Sequence, residues 1–171
     1  NRAKQANMPE AINQLTDNEE RNARILELLK ERITQGRKIL FLSDRREHCK
    51  YIHEHMETIS TCGLYLGGMK REELEASERC QLILGTFSLA HEGLDIPSLD
   101  TLLMATPKSD IVQAVGRILR ETPGKQNAPE IIDIVDEWGV FHAQYRKRQK
   151  YYIKNGCIKE EKPAKMQFLE D

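Results

Sequence analysis

The sequence predicts an α/β protein, a three-layer sandwich built on a mainly parallel sheet of five to six strands. Three observations lead there. The runs "KILFLS", "QLILGT" and "DTLLMAT" are short and continuously apolar, as strands covered on both faces are. Between such runs lie stretches whose apolar residues recur at helical spacing. The two kinds of segment alternate along the 171 residues, the rhythm of strands joined by crossover helices.

Taken in order, residues 1–17 are polar with Pro9 near their middle, and read as an arm or a short, weak helix. From Asn18 the spacing of Asn22, Ile25, Leu28, Leu29, Arg32 and Ile33 predicts an amphipathic helix that Gly36 ends. "KILFLS" is the first buried strand. Asp44 and Glu47 have the spacing of a capping box and are expected to open a helix running to about Glu57. "GLYLG" reads as a short strand, "MKREELEAS" as a short helix and "QLILGT" as a buried strand. "FSLAHEGLDIPSL" reads as a loop. "DTLLMAT" is the next strand, with a turn at Pro107 and a helix from near Ser109 through "SDIVQAVGRILRE". "PEIIDIVD" supplies a further strand, and a long helix is expected from about Trp138 to Lys154. Residues 18–155 thus read as one domain, with 1–17 before it and 156–171 as a tail. Ligands of open parallel sheets gather at the carboxyl ends of the strands, where Ser43, Gly67, Thr86, Pro107 and Asp136 fall.

Composition bounds the function. The chain is 39% hydrophobic, enough for a core, and 31% charged. Its formal net charge of −1 offers no bulk field for nucleic acid, so any such contact depends on local placement. No apolar run is long enough to span a bilayer and no leader opens the chain, so an intracellular, non-secreted protein is expected. The start at Asn1 reads as a piece of a longer polypeptide. Cys49, Cys62, Cys80 and Cys157 form no Cys-x-x-Cys pair. Cys49 and His53 could supply half a metal site at i and i+4, but reduced, packed thiols account for the same residues and no metal site is expected.

The helix "SDIVQAVGRILRE" carries the strongest chemical signal. Gln113, Arg117 and Arg120 fall on one stripe, and Ile111, Val112, Val115, Ile118 and Leu119 are left to pack on the sheet. Gly116 in the interior of a helix costs roughly 1 kcal/mol relative to alanine, so close approach of another segment or a ligand is expected there. Two guanidiniums on one stripe suit a polyphosphate, each forking two hydrogen bonds to its oxygens. Two solvated surface arginines explain the pattern equally well.

"TFSLAHEGLDIP" followed by "QAVGRILR" resembles motifs V and VI of superfamily 2 helicases, in order and spacing. "KILFLSDRREHC" is similar to their motif IV region, and "YLGGMKREE" to the strand-and-glycine segment after it. The branch most resembled contains DNA-repair translocases of phages and helicases of large DNA viruses, with a glutamine opening motif VI. The resemblance covers about residues 18–155. It implies a second RecA-like lobe of a two-lobe motor that runs on ATP and Mg²⁺, both held mainly by an upstream first lobe. Arg117 and Arg120 would reach the triphosphate across the interlobe cleft, one of them as an arginine finger, with Gln113 and Gly116 beside the same phosphates. Asp95, in a turn that Gly93 permits, would accept a hydrogen bond from the ribose. Ser43 and Thr86 would bind nucleic-acid phosphates, and Arg45 (or Arg46) and Arg71 would add charge to that track. Helix caps and solvated side chains remain plain alternatives for these. DNA is favoured over RNA as the track, and the lone lobe is expected to be monomeric and inactive.

The missing motifs agree with half a motor. No Gly-x-x-x-x-Gly-Lys-Ser/Thr occurs, and Gly124-Lys125 lies outside that pattern. "IIDIVDE" mimics a magnesium-binding strand but follows motif VI, so Asp133 and Asp136 are read as structural or capping residues. "QYRKRQKYYIKNGCIK" mixes bases with aromatics, and reads as a helix with Arg146, Lys147, Arg148, Lys150 and Lys154 on its outer face and Phe141, Tyr145 and Tyr152 inward. A single-strand-binding helix is the alternative. A non-catalytic binding module on the same fold is the competing reading of the whole chain. A dinucleotide enzyme is excluded because "SDRREH" stands where its glycines belong.

Overall fold

A computed structural model of the chain describes residues 7–157, other than 93, 121, 122, 124 and 138. Five strands form a single all-parallel sheet: β1 (Ile39–Ser43), β2 (Cys62–Tyr65), β3 (Leu82–Thr86), β4 (Thr101–Met104) and β5 (Glu130–Asp133), in the order β2-β3-β1-β4-β5. The helices are α1 (Met8–Asp17), α2 (Glu19–Thr34), α3 (Arg46–Met56), α4 (Arg71–Glu78), α5 (Phe87–Glu92), α6 (Val112–Leu119) and α7 (Gly139–Lys154). The central strand β1 is buried along its whole length, which is why its sequence shows no polar alternation. Its register sets Ser43 beside Thr86 of β3 and Leu42 beside Met104 of β4.

Alternate strand residues supply two cores. Phe41, Leu84 and Leu103 face Ile25, Leu29, Cys49, Ile52 and Met56 of α2 and α3. Leu42, Ile83 and Met104 face Phe87, Val115 and Ile118 of α5 and α6, with Leu74, Tyr151 and Tyr152 at the margin. The three layers expected from the sequence are therefore present. Gly63 is required where α4 crosses β2, because a Cβ there would lie 2.5 Å from the Cα of Ser77. Gly36 closes α2 at a φ of +74°, the left-handed conformation that favours glycine.

Several elements depart from their expected form. Of the two forms expected for residues 1–17 the structure has the short helix, α1, but a packed one, with Ala11, Ile12 and Leu15 on Phe141 of α7. No capping box opens α3: Arg45 is the N-cap, and the Asp44 carboxylate accepts a hydrogen bond from Lys108 at 3.2 Å instead. "FSLAHE", expected in a loop, forms α5. Helix α6 starts at Val112 rather than Ser109, and Val112 itself is half exposed instead of packed.

Candidate functional site

The site residues of the sequence fall in two places. The first is the surface of α6 and the loop before β4. On the first turn of α6, Gln113 is exposed; Arg117, a turn later, is half-buried. The helix ends one residue before Arg120, whose backbone is extended (φ −58°, ψ 123°), so Gln113 and Arg117 share a helical stripe that Arg120 only follows. The Arg120 guanidinium donates to Asp95 at 3.2 Å, joining "GLDIP" to "GRILR" across 25 residues. Both side chains are more than half exposed, so this pair contributes well under 1 kcal/mol to stability. Arg117 approaches Tyr65 of β2, whose phenol donates to Glu78 at 3.1 Å. A Cβ at Gly116 would meet open space, so the close approach expected there is not made by any described segment of this chain. Gly93 lies outside the described residues. Asp95 also lines a shallow open groove of about 490 Å³ with Lys38, Glu78 and Pro97.

The second place is the carboxyl end of β1 and β3. Thr86 is half-buried, and its hydroxyl lies 3.2 Å from that of Ser88. Ser43 is fully buried, and its hydroxyl is engaged twice inside the fold: it lies 3.1 Å from His48 Nδ1 and accepts the Arg45 N–H at 3.1 Å. Arg45 donates to Asn13 Oδ1 at 2.6 Å and to the Pro9 carbonyl at 2.9 Å, and Arg46 to the Gly67 carbonyl at 2.6 Å. Arg71 stands away from this group, almost wholly exposed and paired with Glu75 at 2.7 Å.

Beneath this edge runs a buried polar network that the sequence reading missed. His48 Nε2 lies 2.9 Å from Asn22 Oδ1, and Asn22 Nδ2 donates to the Thr16 carbonyl. Because that amide nitrogen is committed, Asn22 Oδ1 accepts and His48 carries its proton on Nε2, leaving Nδ1 to accept from Ser43. Burial and the nearby Arg21 cation hold the imidazole neutral, with its pKa down to about 3. Arg21, buried on α2, forks to both oxygens of Asp136 at 2.8 and 2.9 Å and donates to the Ala105 carbonyl at 2.6 Å. Its other Nη is buried with no hydrogen-bond partner among the described residues.

A second buried arginine corrects the reading of α7. Arg148, placed on the outer face by its neighbours in sequence, is 2% exposed and forks to Asp133 at 2.7 and 3.0 Å. Tyr152 donates to the same carboxylate at 2.8 Å, and burial together with that acid pushes its phenol pKa upward, so it remains a donor. Asp133 and Asp136 are thus ion-pair anchors. Cys49 points into the core and donates to the Gly85 carbonyl, and burial raises its pKa to about 12, which makes it an inert thiol. Among the described residues no group of three metal-binding side chains converges, and no helix is long and apolar enough to cross a membrane.

Parallel strands and an arginine-bearing α6 whose end is joined to Asp95 form the arrangement of a helicase C-terminal domain. Residues 20–122 match the helicase conserved C-terminal domain, and the chain belongs to that family. It is 38% identical over 162 residues to a protein of Acanthamoeba polyphaga mimivirus named as a candidate ATP-dependent RNA helicase. That match takes in 88% of this chain and 31% of the relative, so the chain spans about a third of the viral protein's length. Among solved structures, UvsW of T4 superposes with a TM-score of 0.63 at 18% identity, over 88% of this chain and 36% of that one. The helicase MrfA, solved bound to DNA and AMPPNP, gives 0.60 at 21% identity, over 79% and 20%.

Proposed function

We propose that this chain is the second motor lobe of an ATP-dependent nucleic-acid helicase or translocase. In this reading Arg117 and Arg120 face a nucleotide and Mg²⁺ gripped mainly by the first lobe, and one of them stabilises charge on the transferring phosphoryl group. Gln113 orients groups beside the same phosphates, Gly116 leaves room for the partner lobe to close, and Asp95 with Gly93 meets the ribose. The observation that carries the reading is the Arg120–Asp95 pair: two residues assigned to one nucleotide meet at 3.2 Å while both stay open to solvent. In the nucleotide-loaded state Asp95 turns to the ribose and Arg120 to the phosphates, so their mutual contact is the resting arrangement.

The second surface is the nucleic-acid track. Thr86 and Arg45 stand at its centre, Arg46 beside them, and Arg71 adds charge at a distance. Ser43 acts from below by fixing the Arg45 backbone. The relative named as an RNA helicase and the structural neighbour solved with DNA support a nucleic-acid track of either kind; the resemblance of the sequence to DNA-repair translocases is the reason DNA is preferred.

The test is nucleic-acid-stimulated ATPase activity of the polypeptide that joins this lobe to a nucleotide-gripping one. Arg117→Ala and Arg120→Ala are expected to lower kcat, the finger of the two by about 10³–10⁵, with substrate KM changed far less. Wild-type turnover in both variants overturns the proposal.

A further inference from the structure

Arg45 is held differently from the arginines of this chain that sit on an acid. Arg24, Arg32, Arg71 and Arg120 each meet a carboxylate. Arg45 meets three neutral oxygens: Asn13 Oδ1 at 2.6 Å from Nε, the Pro9 carbonyl at 2.9 Å from Nη2 and the Asp44 carbonyl at 3.2 Å from Nη1. Among the described residues no carboxylate is paired with it, since the acid of adjacent Asp44 is taken by Lys108. A guanidinium has five N–H donors, so two stay open after these bonds are made. The Arg45 backbone is pinned as well, through its N–H to the buried Ser43 hydroxyl. The result is a cation fixed in direction with its charge uncompensated, one residue from Arg46, which is likewise held by a carbonyl.

We infer that Asn13 of α1 is a positioning residue of the nucleic-acid surface, holding Arg45 toward a backbone phosphate without neutralising it. This rests on the proposed track at the carboxyl ends of the strands. A neutral amide is the side chain that suits the task. A carboxylate in its place would accept the same N–H but cancel the charge the phosphate needs, and an apolar residue would leave the long side chain to be ordered at the moment of binding. The functional surface then includes α1, which precedes the segment shared with the helicase family.

The experiment is fluorescence anisotropy of a labelled oligothymidylate with the 171-residue chain across a salt series, alongside thermal unfolding of each variant. Losing one phosphate contact lowers the slope of log K against log salt by about 0.7 on a single strand. Arg45→Ala is expected to show that loss. Asn13→Asp is expected to show it too, with an unchanged or higher Tm because the hydrogen bond becomes an ion pair, and Asn13→Ala to weaken binding at an unchanged slope. Asn13→Asp that binds with the wild-type slope while Arg45→Ala does not would overturn the role of Asn13 and leave the track standing. Wild-type binding in Arg45→Ala, or no binding by the parent chain even at low salt, would overturn the track at this edge and the inference with it.

Discussion

Two pairs of arginines divide this molecule. Arg117 and Arg120 lie at the end of α6, the first half-buried and the second exposed, and the Asp95 carboxylate that Arg120 meets is itself exposed. Arg21 and Arg148 are almost inaccessible, and each grips both oxygens of an aspartate just beyond or within β5. The same side chain does two jobs because the surroundings differ. In the interior a guanidinium without its acid is a severe defect, so each of the two is fixed on its aspartate. At the surface the energy at stake is small, so a contact such as Arg120–Asp95 can be exchanged for another at little cost.

The contrast can be broken at its strongest point first. Arg21→Ala leaves Asp136 buried without a counter-charge and is expected to cost about 3–5 kcal/mol in urea unfolding, whereas Arg120→Ala should cost less than about 0.5 kcal/mol. Equal losses in the two variants would erase the distinction. His48 sharpens it from the side of pH. Its folded pKa of about 3 lies below the ordinary 6.5, so the unfolded chain takes up the proton first as the solution is acidified. The stability tied to the neutral ring is complete above about pH 6.5 and drains away as pH falls toward 3, by at most about 1.4 kcal/mol per pH unit. His48→Gln should flatten that part of the profile, and an unchanged slope would show that the ring titrates freely. The smallest effect is expected at the exposed end: Gly116→Ala meets no neighbour and should stabilise α6 by up to about 1 kcal/mol, while slowing turnover in the two-lobed protein if the partner lobe closes on that spot.

Much of the fold was legible because continuous apolar strands and helical stripes are local patterns; all five strands overlap apolar runs of the sequence. The arginine helix was legible for the same reason, although its early end at Leu119 was not, since nothing local to "ILRE" marks a stop. The buried network is hard to read from sequence because a charged side chain ordinarily signals surface. A signal was present: Arg21 precedes Ile25 by four residues and Leu29 by eight, so it sits on the inward stripe of α2. Arg148, seven after Phe141 and four before Tyr152, is on the inward stripe of α7 in the same way. Asn13 gave no comparable sign, because its partner Arg45 lies 32 residues away and only the packing of α1 brings them together.

The span between Arg21 and Asp136 is 115 residues, and the shared helicase segment ends at residue 122. A polypeptide trimmed to that segment keeps the cation but discards its anion, and also loses Asp133, Arg148 and the α1 face that rests on Phe141. The segment that matches the family therefore stops short of the ion pairs that close this lobe, and on the ribosome its electrostatic closure waits until Asp136 has emerged.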